Sequence, residues 1–181
     1  MNGYKRSATA CCLVFVARLL AVCLAVSSAH AGRGHTDDTD SMQVLPLRLA
    51  LAAAIEAEAV CAEQGLRVSV AVVDRGGLVK AHIRGDGAGP HTLESARKKA
   101  YTAASLGRPT SVLVDVVVNN PATEGLRDMD DNILILGGGL PIIVADEIIA
   151  GIGVGGAPSG DLDEACAAAG IEKILHRLRD K

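Results

Sequence analysis

The sequence predicts an α/β fold in which a five-stranded, largely antiparallel sheet carries helices packed on its faces. Short runs of β-branched residues are separated by glycine-rich turns, alanine-rich segments show helical spacing, and no strand-to-helix turn carries a dinucleotide-binding fingerprint. The chain of 181 residues is 49% hydrophobic, and it has no internal repeat at a period of roughly 20–50 residues. A single packed globular domain is therefore expected.

The first residues have the pattern of a secretory signal peptide. Lys5 and Arg6 precede an apolar run and a small-residue cleavage site at Ala31. We predict three parts: a signal peptide over 1–31, a flexible arm without apolar periodicity over 32–43, and a single folded domain over 44–178. Removal of a signal peptide implies export, so the expected location is periplasmic or extracellular.

The first half of the domain predicts a helix, a hairpin and a second helix. Leucine and isoleucine recur at helical spacing over 47–63, and Gly65 follows as a stop signal. Alternating valines, a turn over 74–77 and a strand over 78–84 form the hairpin. The second helix, over 92–106, has mainly alanine on its buried side, so it is expected to approach the sheet closely.

The second half predicts three strands and a last helix. Residues 111–118 are ambiguous between strand and helix, because their β-branched composition favours a strand. Three apolar runs, over 133–136, 140–145 and 148–154, predict a strand meander. The last helix is predicted to run from Asp161 to Arg177, with Glu164 as its capping-box partner.

Composition and charge argue against a nucleic-acid partner. The formal net charge is −3, and the aromatic residues are two Tyr and one Phe. Nucleic-acid binding sites need a basic stripe and stacking aromatic side chains. We therefore expect no nucleic-acid partner.

The start of the second helix is the first candidate site. Gly89 and Pro90 lead into His91 and Thr92, and the unpaired N–H groups at a helix start favour an anion. The imidazole of His91 can ligate iron or act as an acid–base group. The alternative is that His91 is an ordinary surface or capping residue.

Charged residues surround this helix start. Lys80, His82 and Arg84 alternate on one strand and are expected to share a sheet face, where Arg84 can clamp a carboxylate. The helix itself carries Glu94, Arg97, Lys98, Lys99 and Tyr101. The alternatives are a solvated charged surface and, for Tyr101, simple packing.

Three separated motifs resemble one known family. They are Gly85 to Ala103, Gly137 to Pro141 and Gly153 to Glu164. Together they resemble the GlcG/HbpS-like haem-binding family, also described as a haem-degrading domain, over roughly residues 44–178. The resemblance implies a profilin-like or GlcG-like α/β sandwich, assembly into homo-oligomers, haem or iron binding in some exported members, and haem breakdown. Its Lys-Ala-x-Thr-Ala motif implies that Lys99 and Thr102 face a shared pocket or a subunit contact.

Other residues of these patterns have simpler interpretations as well. The glycines at 137–139 and 153–156 fit tight turns, or a backbone nest for an anion. Cys61 and Cys166 are either a disulfide or two buried thiols, and the sequence leaves both open. Because no Cys-x-x-Cys-His motif is present, any haem is expected to be held noncovalently.

Our primary hypothesis is an exported protein that binds haem, or free iron, with His91 as the metal ligand and possible haem-degrading activity. The alternative is a cofactor-free enzyme or binding protein for a small carboxylate or oxo-acid, with Arg84 or Arg97 as clamp and His91 as general base. A third reading is a sensor subunit with a membrane-bound partner. The expected cofactor-binding residues are Arg84, Gly89, Pro90, His91, Thr92, Glu94, Arg97 and Lys99.

Overall fold

The computed structural model describes residues 43–179. The predicted signal peptide and all but the last residue of the predicted arm therefore lie outside the described residues. The elements are α1 (Leu47–Glu63), β1 (Ser69–Asp74), β2 (Val79–Arg84), α2 (His91–Leu106), α3 (Thr110–Asn119), a 3-10 helix (Pro121–Arg127), β3 (Gly139–Val144), β4 (Glu147–Gly155) and α4 (Gly160–Arg179). None of the helices in this range has the length and apolarity needed to cross a membrane.

The described residues form one four-stranded antiparallel sheet in the order β2-β1-β4-β3. The prediction of five strands was wrong, because the run over 133–136 does not join the sheet. Its Leu134 amide donates to Thr102 Oγ1 at 2.8 Å, and Ile133 and Ile135 pack against α3. The run is apolar because it covers a helix, which periodicity over four residues cannot distinguish from strand pairing.

The ambiguous segment over 111–118 is helical. Leu113 and Val117, four residues apart on α3, are both buried in the cluster that includes Ile133 and Ile135. Packing of this apolar face outweighs the strand preference of β-branched residues, which amounts to only about 1 kcal/mol per residue.

The last helix, α4, begins one residue before the predicted start. The predicted capping box was wrong: Glu164 Oε1 accepts a hydrogen bond from Ser111 Oγ at 3.0 Å, so Glu164 connects α4 to α3. Ser159 Oγ accepts the amide of Leu162 at 3.4 Å instead.

Helices cover both faces of the sheet. On one face, α1 and α4 pack side by side over a core of valine, isoleucine and alanine. A disulfide joins Cys61 of α1 to Cys166 of α4, with a Cα–Cα distance of 5.7 Å. The two cysteines are thus bonded, which resolves the alternatives left open by the sequence.

On the other face, α2 lies directly on β4. Gly151, Gly153 and Gly155 present no side chain to α2, and a Cβ at Gly153 would collide with the carbonyl oxygen of Ala96. The alanines of α2 lie above these glycines, so helix and strand touch backbone to backbone. This confirms the expected close approach of the second helix to the sheet.

Candidate functional site

The loop over 85–90 leads into α2 and is tied to the sheet through Thr92. Thr92 Oγ1 donates to the carbonyl oxygen of Gly89 at 2.6 Å, and Ser69 Oγ of β1 donates to Thr92 Oγ1 at 2.7 Å. Thr92 is buried, so it positions the loop and does not face a ligand. The helix start is thereby fixed to the central strand β1.

His91 is exposed at the first residue of α2. Its ring lies against Gly89, where an added Cβ would stand 2.7 Å from the ring carbon Cε1. Glycine at 89 is therefore required for this position of the ring. Within residues 43–179, the imidazole has no hydrogen-bond partner, so its ring nitrogens are available to a ligand.

Arg84 lies on the same face of the sheet as the start of α2. It pairs with Ser69 across β1 and β2, and directly paired residues point their side chains to the same side. Arg84 is exposed at the end of β2. The expectation that a guanidinium lies near the helix start therefore agrees with the strand register.

His82 shares this face, but Lys80 departs from the expected alternation. His82 Nε2 donates to the carbonyl oxygen of Leu93 in α2 at 3.1 Å. The register between β1 and β2 shifts after Val72, so that Lys80 is the extra residue of a β-bulge. The ladder of three basic side chains is thus reduced to His82 and Arg84, with Lys80 beside them.

A cavity of about 230 Å³ lies beside the first part of the loop. It is lined by Glu58, Ile83, Arg84, Gly85 and Asp86. Small-molecule sites usually enclose about 300–1,000 Å³, so this cavity takes only a small guest. His91 is not among its lining residues.

Sequence reasoning missed Glu58 and Arg67, which both approach the loop. A Cβ at Gly85 would stand 2.5 Å from Glu58 Oε1, and a Cβ at Gly87 would stand 3.1 Å from Arg67 Cδ. The glycines of the loop therefore make room for these two side chains. Glu58 lies on α1 and Arg67 lies just before β1, both distant in sequence from the loop. Spacing within one segment cannot predict such contacts, which form only in the assembled fold.

Glu94 and Arg97 are paired with each other on the outer face of α2. Arg97 donates to Glu94 Oε2 at 2.9 Å and to Asn132 Oδ1 at 3.0 Å. The hydrogen bond from Arg97 lowers the pKa of the Glu94 carboxyl below its usual value. Arg97 is therefore already engaged by two acceptors, unlike Arg84.

Tyr101 packs at the turn of the hairpin. Its ring lies against Gly77, and its hydroxyl donates to Asp130 Oδ2 at 3.5 Å. Asp130 Oδ1 also accepts the backbone N–H of Asn132 at 2.6 Å, and this bond is the main cause of the lowered pKa of Asp130. The described contacts of Tyr101 are thus packing contacts and one bond to a carboxylate.

Lys99 is buried and points into the protein. Its Nζ donates to Asp163 Oδ2 at 2.7 Å and to the carbonyl oxygen of Val154 at 2.9 Å. Thr102 is also buried, and its hydroxyl donates to the carbonyl oxygen of Lys98. Both residues of the Lys-Ala-x-Thr-Ala motif therefore make internal contacts within this chain.

The glycine turn at 137–139 accommodates the buried lysine. Gly138 has a φ of +119°, and an added Cβ would stand 2.8 Å from Lys99 Nζ. Gly137 lies against the backbone of Gly160 at the start of α4. The turn interpretation of this motif accounts for both close approaches without an anion.

No group of three or more His, Cys, Asp or Glu residues within residues 43–179 is arranged to hold a metal ion. A metal bound through His91 therefore has at most one further His, Cys, Asp or Glu ligand within this range, and it needs its remaining ligands from elsewhere, as the four ring nitrogens of a porphyrin provide.

A family model described as "Haem degrading protein HbpS-like" matches residues 45–172. The chain belongs to the HbpS-like family. The resemblance of the three sequence motifs is thereby confirmed, and the HbpS-like domain accounts for all the elements from α1 into α4.

Solved structures of other proteins are similar to this HbpS-like domain. A double mutant of HbpS from Streptomyces reticuli is 45% identical, covers 72% of this chain and 86% of its own, and superimposes with a TM-score of 0.68. Protein ORFY from Klebsiella pneumoniae is 29% identical over 74% of this chain and 92% of its own, with a TM-score of 0.70. A PduOC:haem complex is 27% identical over 73% of this chain and 96% of its own, with a TM-score of 0.67.

Proposed function

We propose that this protein binds haem noncovalently at the surface formed by the 85–90 loop and the start of α2. The observation that carries the proposal is the exposed imidazole of His91, which has no hydrogen-bond partner within residues 43–179 and stands at a glycine-bearing loop near Arg84. The haem-degrading description of the family and the haem complex of the PduOC relative support this ligand class.

The residues around the loop have the chemistry that haem requires. The imidazole of His91 would hold the iron, and the exposed guanidinium groups of Arg84 and Arg67 would pair with the propionates. Gly89 keeps the ring of His91 in place, and Pro90 fixes the entry into α2. Bound haem would supply a redox-active iron, and haem breakdown remains a prediction from the family.

The haem is proposed to lie between copies of the chain. The cavity of about 230 Å³ beside the loop is too small to enclose a tetrapyrrole, and the described residues offer Tyr101 as their aromatic side chain, which packs elsewhere. A second copy in a homo-oligomer would supply the missing apolar wall. Iron without haem and a membrane-bound sensor partner stay predictions.

Export is part of the proposal. The signal-peptide pattern over 1–31 motivates it, and the bond between Cys61 and Cys166 supports it, because disulfides persist mainly in oxidising compartments. Expression of the full chain with fractionation tests it. Recovery of the processed protein in the periplasm or the medium is expected, and retention of the uncut chain in the cytoplasm would contradict it.

Hemin titration followed by absorbance tests the haem proposal. The wild-type protein is expected to give a saturable Soret band. His91→Ala is expected to shift this band, or to lower the affinity for hemin by at least about tenfold, because the iron loses a ligand. His176→Ala, an exposed histidine on α4, is the matched control and should titrate like the wild type. Equal titrations of all three proteins would remove His91 as the ligand, and absence of any band would contradict haem binding.

A second candidate is a small carboxylate or oxo-acid held in the cavity beside Arg84. The small volume of the cavity favours it, whereas the carboxylates of Glu58 and Asp86 in the same lining oppose an anion. Calorimetric titration of haem-free protein with acetate, pyruvate and oxalate tests this candidate. Saturable heat that Arg84→Ala abolishes would support it, and the absence of heat would exclude these acids as ligands.

A further inference from the structure

The edge strand β2 has a free side that can accept a further strand. Within residues 43–179, β2 and β3 are the two edges of the sheet. Strand β3 contains Pro141, which has no N–H to donate, and proline is a common means of protecting an edge from pairing. Strand β2 contains no proline, so its edge keeps every backbone donor.

The hydrogen-bond register identifies the backbone groups that point outward. The amide of Gly85 donates to the carbonyl oxygen of Val68, and Val70 pairs with Ile83 in the same register. Because antiparallel pairs alternate between bonded and non-bonded positions, Ile83 and Gly85 face β1. The N–H and C=O groups of His82 and Arg84 therefore point away from the sheet.

On the face that bears α2, the side chains along this edge are basic. His82 and Arg84 share the face, and Lys80 lies beside them in the bulge. The carboxylate nearest to His82 on α2, Glu94, is already paired with Arg97. A second copy of β2 in antiparallel pairing would place basic residues opposite basic residues, which is destabilising. An acidic strand would be stabilised by the same side chains.

On the opposite face, α1 borders the edge with apolar side chains. Leu47, Leu51 and Ile55 lie four residues apart and are exposed. Glu58 lies eleven residues after Leu47, about three turns along the same line of the helix, and it contacts Gly85 at the end of β2. The apolar stripe therefore lies on the side of α1 next to the β2 edge.

We propose that the free edge of β2 binds an extended segment of another protein in which acidic and apolar residues alternate. Its backbone would pair with His82 and Arg84, its acidic side chains would face Lys80, His82 and Arg84, and its apolar side chains would face the α1 stripe. Glu58 and Asp86 stand near the end of β2, so the acidic pattern of the partner ends there. Because Arg84 is also the proposed partner of a haem propionate, this interaction is tested on the haem-free protein.

A synthetic peptide tests the proposal directly. The probe is the capped heptapeptide Val-Asp-Val-Glu-Val-Asp-Val, added to the haem-free protein, and the readout is amide hydrogen exchange followed by NMR. The amides of His82 and Arg84 are expected to become protected, whereas the amide of Ile83, which already faces β1, is expected to change little. A peptide with Lys in place of each acidic residue should not bind.

Two variants, one on each face, separate the contribution of the charge pairing on the α2 face from that of the apolar contact with α1. Lys80→Glu and Leu51→Asp are each expected to weaken binding, and the double variant by about tenfold. Arg177→Glu, a charge reversal on α4, is the control and should bind like the wild type. Binding of the lysine peptide with equal affinity, or binding that leaves the amides of His82 and Arg84 exchanging, would overturn the proposal. Protection of these amides in the peptide-free protein would also overturn it, because the edge would then already be occupied.

Discussion

Lys99 Nζ lies 2.7 Å from Asp163 Oδ2, and both side chains are almost completely buried, at 2% and 3% exposure. The pair joins α2 to α4 through the space beneath Gly138. Asp163 Oδ1 also accepts the amide of Ala157, and Lys99 donates to Val154. A buried charge is tolerated only with such partners, so the pair determines how the end of β4 meets the two helices.

Replacement of the lysine should be strongly destabilising. Lys99→Met keeps the length of the side chain but leaves the Asp163 carboxylate buried without its charge partner, and we expect the free energy of unfolding to fall by about 3–5 kcal/mol. Urea denaturation followed by circular dichroism measures the loss. The double variant Lys99→Met/Asp163→Asn removes both charges and should recover part of it. A single variant as stable as the wild type would show that the pair contributes nothing.

Gly151, Gly153 and Gly155 of β4 should also be intolerant of added side chains. Gly153→Ala places a methyl group against the carbonyl oxygen of Ala96, and the backbone of α2 has to move to accept it. We expect a loss of about 1–3 kcal/mol in unfolding free energy. Gly125→Ala is the control, since nothing lies within 4 Å of an added Cβ there. Thermal unfolding of both variants decides the point, and equal melting temperatures would contradict the close contact.

The disulfide should act as a staple between α1 and α4. Cys61 and Cys166 are separated by 105 residues, and closing a loop of that length is worth about 5 kcal/mol in the chain-entropy description. The double variant Cys61→Ala/Cys166→Ala should lose most of that free energy in chemical denaturation. Both cysteines are buried, so thiol labelling after dithiothreitol treatment should require a denaturant. Labelling of Cys61 or Cys166 without prior reduction would argue against the bond.

The sequence predicted the local elements well where one pattern decided them. The hairpin over β1 and β2, the helices α1 and α2 and the alanine face of α2 all follow from spacing within a single segment. The run over 133–136 was predicted wrongly. Over four positions, the sequence pattern of apolar residues that pack on α3 is the same as that of a strand in a sheet. The helical conformation of α3 likewise depends on a partner that is distant in sequence.

The candidate site was predictable only in part for the same reason. His91 and Arg84 could be assigned to the helix start and to the strand end from their positions alone. The burial of Lys99 could not, because its partner Asp163 lies 64 residues away, and a charged residue on a helix is usually solvated. Glu58 contacts the loop only after α1 packs beside β2.

Glu164 should make the free energy of unfolding decrease as the pH rises. Burial is the main cause that raises the pKa of its carboxyl above the usual value of 4.5. The folded state therefore holds this proton more tightly than the unfolded state, and the resulting stabilisation is lost as pH rises from below 4.5 through the folded pKa. Glu164→Gln keeps an acceptor for Ser111 and should be more stable than the wild type at pH 7.

Melting temperatures at two pH values test this assignment. The advantage of Glu164→Gln should shrink as the pH falls below 4.5, because the raised pKa favours the neutral form of the wild-type carboxyl there. Glu147→Gln, on β4, is a comparison for loss of one charge. An advantage for Glu164→Gln of the same size at both pH values would mean that the carboxyl does not titrate differently in the two states.

The close packing of α2 on the main chain of β4 limits the movement of His91, the first residue of α2. No layer of rotatable side chains lies between helix and strand at Gly151 and Gly153, so α2 has little freedom to slide or tilt against the sheet. The backbone that carries the imidazole of His91 is therefore held rigidly against the sheet. Adjustment to a guest must come from rotation of the ring itself and from the short loop in front of it.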